Sequence, residues 1–155
     1  MSASARLDVT RRTRIWSPPT SLLTAWAHAA LGRHARGTEL AVKVVGTTAI
    51  RRLNAHFRGR DAPTNVLSFP APKLPASPAK ALRPLGDLVI CARLLRSEAR
   101  VQGKSLRAHW AHLVVHGALH LIGYDHARAR DARRMERREI LVLRRLGFAN
   151  PYRSG

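Results

Sequence analysis

Apolar positions along this chain follow two different periods, and each period predicts a different kind of element. Leu7 and Val9 alternate with polar neighbours, which predicts a short first strand. The β-branched apolar run at residues 39–46 predicts a second strand, and residues 65–69 predict a third. The segment GDLVICA predicts a fourth strand that ends near Cys91. Alternation in the first segment and apolar, largely β-branched runs in the others therefore indicate four strands.

Apolar residues also recur at helical spacing in segments that we expect to form helices. Residues 20–31, 93–101, 106–121 and 129–146 are four of them, and another runs through Phe57 from a cap at Thr47 or Thr48. Gly59 and Gly103 are placed to end two of these helices. A proline-rich stretch at residues 70–84 predicts a mobile or lid-like loop. Strands and helices interleave, which predicts an α/β or α+β fold.

Length and charge narrow the class of protein. A chain of 155 residues is long enough to bury one substantial core, so a single domain over residues 1–155 is the expectation. Lys and Arg total 28 against 9 Asp and Glu, and nearly all of the excess is arginine. A net charge of +19 favours a polyanionic partner, with nucleic acid ahead of an anionic membrane. An arginine-biased proteome that decorates solvated faces is the alternative explanation.

The cysteine content and the hydropathy bear on the cellular compartment. Cys91 is the one cysteine, so an internal disulfide is impossible, and its apolar neighbours predict a buried thiol. The sequence contains no apolar run near the roughly 18 residues that a membrane span needs. We therefore expect a soluble, cytoplasmic protein with no membrane partner.

Three histidines form the most informative pattern in the chain. His116 and His120 are four residues apart on a predicted helix, so their imidazoles can face one ion. Gly123 permits the chain to leave the helix and turn back, which brings His126 toward the same point. Three nitrogen ligands leave a fourth tetrahedral position for water, as in catalytic Zn²⁺ sites. Because neutral imidazoles leave the double charge of the ion undiminished, the ion lowers the pKa of that water toward about 7. Imidazoles also accept nickel and copper.

Other polar residues near this pattern have more than one explanation. His109 and His112, on the same predicted helix, are either buried histidines with ordinary hydrogen bonds or residues that orient a metal ligand. Asp125 has three open roles: it can orient an imidazole, cap the turn or act as a general base. Asp125 and His112 are therefore the candidates for an outer partner of the metal or for a base.

The histidine spacing matches the zinc-peptidase pattern HExxHxxGxxH at every position but one. Gly117 stands where a peptidase has its glutamate base. Without that carboxylate, the attacking water has no obvious proton acceptor within the motif. Together with the arginine excess, this departure points away from a peptidase and toward an anionic ester such as a phosphodiester.

The segment HGALHLIGYDH resembles the metal-binding signature of the bacterial YbeY endoribonucleases, a family of rRNA maturation factors. The resemblance covers nearly the whole chain and is least clear before Leu7 and at residues 71–84. Further similar segments are LNAHFRGRDAPTNVLSFP at residues 53–70, LGDLVIC at 85–91, AHWAHLVVHG at 108–117, and Met135, Glu139, Leu146, Gly147 and Pro151-Tyr152 near the end.

The family resemblance implies a fold and an activity. The implied fold is a single α+β domain with a small four-stranded mixed sheet, surrounding helices and a zincin-like metal helix. The implied activity is single-strand-specific cleavage of RNA with one Zn²⁺ per chain. The implied setting is ribosome assembly and quality control, chiefly processing at the 3′ end of small-subunit rRNA, with the small subunit or its assembly factors as partners.

The resemblance also implies a role for an arginine outside the histidine motif. Arg58 matches the family's functional arginine, and a guanidinium beside the metal can hold phosphate oxygens and stabilise developing charge. The alternative explanation of Arg58 is a surface arginine at the C-terminal end of a helix, where the helix dipole favours a positive charge. Thr64, Asn65 and Ser68 are substrate-binding candidates if the third strand borders the cleft, although Thr64 and Asn65 are also suited to capping a turn.

The last predicted helix carries many arginines, which either form a solvated face or contact rRNA phosphates without sequence preference. The sequence shows no aromatic motif for stacking on RNA bases. The competing functional hypothesis is a ribosome-associated RNA-binding assembly factor whose metal is structural.

Overall fold

The centre of the fold is a sheet of four strands, β1 (Arg6–Arg11), β2 (Thr38–Val45), β3 (Val66–Pro70) and β4 (Arg83–Cys91). Their order in the sheet is β1-β2-β4-β3. The computed structural model describes residues 5–72 and 81–153. β1 and β2 are parallel, as are β2 and β4, whereas β3 is antiparallel to β4. The four-stranded mixed sheet is therefore confirmed.

All five helices that the sequence predicts are present, with bounds within about two residues of expectation. Gly59 and Gly103 end the second and third helices in the left-handed conformation, with φ of 70° and 66°. The helices are α1 (Thr20–Leu31), α2 (Thr47–Arg58), α3 (Ala92–Gln102), α4 (Leu106–Leu121) and α5 (Ala129–Arg145).

Two details of the predicted pattern need correction. A cap at Thr47 or Thr48 is wrong, because α2 begins one residue earlier and Gly46 is its N-cap, without a side-chain hydrogen bond. The proline-rich connection is also shorter than predicted, since Pro70 belongs to β3 and pairs with Gly86 in β4. β3 is an edge strand, where proline is tolerated. The prediction that this loop is mobile or lid-like falls mainly on residues 73–80, outside the described residues.

The main core lies between one face of the sheet and helices α1, α4 and α5. α4 lies at its centre, and buried residues occur all around its circumference, Trp110 and Val114 among them. A smaller cluster on the opposite face joins Ile50 of α2 to Val89 and the buried thiol of Cys91. The result is one α+β domain in which α4 is held on several sides. Within the described residues, no helix is both long and apolar enough to cross a membrane.

Gly117 sets how closely α4 approaches the sheet. A Cβ atom at this position would lie 2.8 Å from Cδ2 of Leu88 and 3.4 Å from Oγ of Ser68. Leu88 is fully buried, so its side chain has little room to move aside. The hydroxyl of Ser68 donates a long hydrogen bond of 3.5 Å to the carbonyl of Gly117. The position that holds glutamate in a zinc peptidase is therefore a packing contact here, with no space for a carboxylate side chain.

Candidate metal centre

Three imidazoles converge at the C-terminal end of α4. The ring centroids of His116 and His120 are 4.7 Å apart. After the helix ends, Gly123 adopts a φ of +104°, and the chain turns so that the ring of His126 lies 5.7 Å and 4.8 Å from the other two. One nitrogen from each ring lies within 4.8 Å of the others, which is close enough to share one ion. The glycine bend therefore brings the histidines together as the sequence predicts.

Backbone and side-chain hydrogen bonds fix the turn that carries His126. The backbone N–H of Gly123 donates to the carbonyl of His120 at 3.1 Å, and the backbone N–H of Tyr124 donates to the carbonyl of Leu119 at 3.1 Å. Oδ1 of Asp125 accepts the backbone N–H of His126 at 2.7 Å. Of the roles that the sequence leaves open for Asp125, the structure therefore shows a turn cap.

His120 is suited to bind a metal at neutral pH. Burial lowers the pKa of its imidazole to about 4, and the nearby charges of His116 and His126 act in the same direction. The ring is therefore neutral at pH 7, and only a neutral imidazole can donate a nitrogen lone pair to a cation. The chemistry of this donor set fits Zn²⁺.

A buried carboxylate on α5 orients His116 from behind. Oε1 of Glu139 lies 3.3 Å from Nδ1 of His116 and 2.8 Å from Nε2 of His112, and the Glu139 side chain is 1% exposed. Burial raises the pKa of Glu139, but hydrogen bonds and charge from both histidines outweigh burial and lower the pKa to about 2. The carboxylate is therefore ionised. Because it occupies Nδ1 of His116, the other ring nitrogen is left for an ion.

The end of the chain completes this group. The hydroxyl of Tyr152 donates to both oxygens of Glu139, at 2.9 Å and 3.1 Å, and lies 3.3 Å from Nε2 of His112. Burial and the negative charge of Glu139 raise the pKa of Tyr152, so its hydroxyl stays protonated. His112 and Tyr152 line a separate cavity of about 610 Å³. His112 thus contacts the carboxylate beside His116 and is not among the described residues that line the cleft containing the three histidines.

Sequence reasoning missed the positions of Glu139 and Tyr152 in this group. Glu139 lies on the apolar face of α5 with Met135, Val142 and Leu143, all of them buried. An acidic residue among core positions is a signal that the sequence carries, because such a group must find a partner when it is buried. Tyr152 gives no comparable signal in the hydropathy pattern and stands out only within the segment that resembles the YbeY C-terminal pattern, since its contact depends on how the residues after α5 fold back.

We expect Glu139→Gln to weaken zinc binding about 10- to 100-fold, the usual cost of losing an outer partner of a ligand. The amide keeps the shape of the side chain but removes the charge that holds Nδ1 of His116. A competition titration against a chromophoric chelator measures the affinity. Asp131→Asn, in the first turn of the same helix, is the control and should change nothing. Equal affinities in wild type and Glu139→Gln contradict the orienting role.

The histidines open into a cleft of about 720 Å³ that also contains the predicted arginine. Nη2 of Arg58 donates to the carbonyl of Ser68 at 2.8 Å, and its guanidinium carbon lies 5.4 Å from the ring centroid of Phe69. Among the described residues that line this cleft, Asp125 is the one acid, whereas Arg58 and Arg60 are cationic. The cleft is thus suited to an anionic group near the metal position.

The three substrate-binding candidates on and before β3 also line the cleft. The amide of Asn65 is already engaged: it donates to both oxygens of Glu98 at 3.2 Å, and its oxygen accepts the N–H of Val66 at 2.7 Å. Glu98 in turn lies 2.8 Å from Nε2 of His109. Asn65 therefore caps the start of β3. Thr64, Asn65 and Ser68 all line the cleft, and their contacts with substrate stay a prediction.

A family model described as Endoribonuclease YbeY matches residues 17–147, a region that contains the three histidines, Arg58 and Glu139. The chain belongs to the YbeY endoribonuclease family. A relative named Endoribonuclease YbeY from Halorhodospira halophila is 48% identical over 138 residues, which are 89% of this chain and 90% of the relative. One of the same name from Alkalilimnicola ehrlichii is 53% identical over 138 residues, 88% of this chain and 82% of the relative.

A solved structure shares the fold over nearly the full chain. The solution structure of TM1509 from Thermotoga maritima is similar with a TM-score of 0.55 at 22% identity, covering 96% of this chain and 99% of that protein. At this identity the likeness concerns the fold alone. The likeness of α4 to a zincin metal helix stays a prediction. Tyr152 lies beyond residue 147, where the YbeY family match ends.

Proposed function

We propose that this protein is a zinc-dependent endoribonuclease that cuts single-stranded RNA during rRNA processing, at the 3′ end of small-subunit rRNA. The observation that carries the proposal is the convergence of three imidazoles in one cleft with Arg58. The relatives named Endoribonuclease YbeY support the reaction class. The family resemblance suggests where and with what it acts. We propose that the protein works in the cytoplasm, in ribosome assembly and quality control. Its proposed partners are the ribosomal small subunit or its assembly factors.

The residues present fit one Zn²⁺ per chain. His116, His120 and His126 would hold it, and the cleft gives access to the remaining position. When bound, zinc supplies a Lewis acid for a phosphodiester oxygen and lowers the pKa of water. Glu139 keeps the ring of His116 in place, so the ligand set is preorganised before the substrate arrives.

Arg58 acts on the substrate in this proposal. Its hydrogen bond to the carbonyl of Ser68 holds the guanidinium at the cleft and leaves further N–H groups for phosphate oxygens. Those donors stabilise the extra negative charge that a phosphodiester gains as it is attacked. Of the two base candidates, Asp125 lies in the cleft and His112 does not line it, so Asp125 is the better placed to accept a proton.

Removing the metal should abolish cleavage reversibly. Chelation followed by gel filtration should give protein that no longer cuts an end-labelled single-stranded RNA, and added Zn²⁺ should restore the activity. Elemental analysis before and after treatment measures the metal content, and a fully paired RNA duplex is the control substrate, which should stay intact. Cleavage that persists in zinc-free protein refutes the metal-dependent reaction.

The second candidate function is a ribosome-associated RNA-binding assembly factor whose metal is structural. The observation in its favour is the exposed basic face of α5 and the residue before it, which extends outside the cleft. Its exposed arginines are Arg128, Arg130, Arg133, Arg134, Arg137, Arg144 and Arg145. Under this alternative, ligand variants still restore normal rRNA processing in cells, while the metal-free protein unfolds.

A further inference from the structure

Phe57 is a large apolar side chain that the fold leaves in solvent beside the cleft. It is 57% exposed, although it stands near the C-terminal end of α2, directly before Arg58. Single exposed apolar residues are common on protein surfaces. Phe57 differs because the rings of His56 and Phe69 flank it and because its chain neighbour Arg58 lines the cleft.

Two aromatic contacts fix the ring of Phe57. Its centroid lies 5.2 Å from that of Phe69, with 64° between the ring planes, and 4.5 Å from that of His56, with the planes perpendicular. Both are edge-to-face geometries, which aromatic rings favour. The two phenylalanines are twelve positions apart in the sequence. Only the packing of α2 against the sheet brings them together, which is why no aromatic motif is visible in the sequence.

The aromatic pair is tied to the cleft through its neighbours in the chain. Phe69 lies between Ser68 and Pro70, both of which line the cleft, and Arg58 follows Phe57. The guanidinium of Arg58 contacts both the cleft and the aromatic pair. It donates a hydrogen bond to the carbonyl of Ser68, and its central carbon lies 5.4 Å from the ring centroid of Phe69. Phosphate-binding charge and an exposed aromatic ring therefore stand side by side.

We propose that Phe57 is a stacking platform for an unpaired RNA base next to the phosphate that Arg58 holds. This inference rests on the proposed function and deepens it, because it names a residue that selects single-stranded substrate. Proteins that bind single strands combine a cationic groove with aromatic side chains on which bases stack. A base in a duplex has both faces covered by its neighbours, so it must leave the stack before it can lie on Phe57. The contact is tolerant of base identity, since every base has a π face.

The test compares substitutions that keep or remove the aromatic face. Phe57→Leu retains apolar bulk against Phe69 but loses the π system, whereas Phe57→Trp retains the aromatic face. Val101→Ala, at an 86% exposed position on α3, is the matched surface control. Binding is followed by the fluorescence of single-stranded oligoribonucleotides with 2-aminopurine at successive positions, and cleavage is measured in parallel on the unlabelled sequence.

We expect Phe57→Leu to weaken RNA binding on the order of ten-fold and to abolish the quenching of one 2-aminopurine position. KM should rise with kcat nearly unchanged, because stacking stabilises the bound substrate and the transition state alike. Phe57→Trp and Val101→Ala should behave as wild type. Thermal unfolding verifies the fold of each variant, and Phe57→Met replaces Phe57→Leu if the latter is unfolded.

The binding and cleavage measurements separate this inference from the proposed function. A wild type that cleaves RNA, with a Phe57→Leu variant that binds and quenches equally well, overturns the stacking role alone. A wild type that does not cleave but loses quenching on Phe57→Leu overturns the nuclease and supports the stacking role.

Discussion

His120→Ala is expected to abolish both bound zinc and RNA cleavage in the purified protein. The substitution removes one of three nitrogens that lie within 4.8 Å of one another, and two imidazoles cannot hold Zn²⁺ in a stable site. The affinity loss should exceed the roughly 10- to 100-fold cost of an outer partner. Metal content by elemental analysis and cleavage of single-stranded RNA are the two measurements.

The matched control for His120→Ala is His34→Ala, which removes an exposed imidazole from a short 3-10 helix after α1. It should retain full zinc content and activity. Cleavage by His120→Ala at the wild-type rate would refute the catalytic role of the three-histidine site. Loss of cleavage with zinc still bound would place the metal elsewhere in the protein.

Arg58→Glu is expected to retain zinc and lose cleavage. The arginine lies in the cleft but contacts the carbonyl of Ser68 and the ring of Phe69, so its loss leaves the histidines in place. Removing one donor that stabilises charge in a transition state commonly costs about 10²- to 10³-fold in kcat, and a carboxylate there also repels the phosphate. Single-turnover cleavage measures the effect.

Arg52→Glu makes the same charge change on the same helix at an exposed position that lines a different surface pocket. It should reduce activity only slightly, through the weaker overall attraction of RNA. If Arg58→Glu and Arg52→Glu are equally active, Arg58 contributes only to the overall attraction of RNA and not to charge stabilisation in the cleft. If Arg58→Glu loses zinc, the arginine supports the metal site instead.

Local sequence patterns predicted most of the elements because helices and strands depend on short-range periodicity. The helix at Thr20–Leu31 has the predicted bounds, since prolines precede it and glycine follows it. The prediction that Thr47 or Thr48 caps α2 was wrong for an equally local reason. Gly46 is extended, with φ of −89° and ψ of 175°, and the helix starts at Thr47 before either threonine can act as its cap.

The candidate site was predictable only where its residues are close in the sequence. His116, His120 and His126 lie on one helix and the turn after it, so spacing and one glycine suffice to bring them together. Glu139 reaches His116 across the packing of α5 on α4, a long-range contact that no periodicity encodes. The pairing of Phe57 with Phe69 likewise depends on tertiary structure.

The contact between Tyr152 and Glu139 ties the segment after α5 to the geometry of the candidate site. The hydroxyl of Tyr152 donates hydrogen bonds to the same carboxylate that contacts Nδ1 of His116. Proteolytic clipping after Leu146 would spare the three histidines and Glu139 and still remove this support.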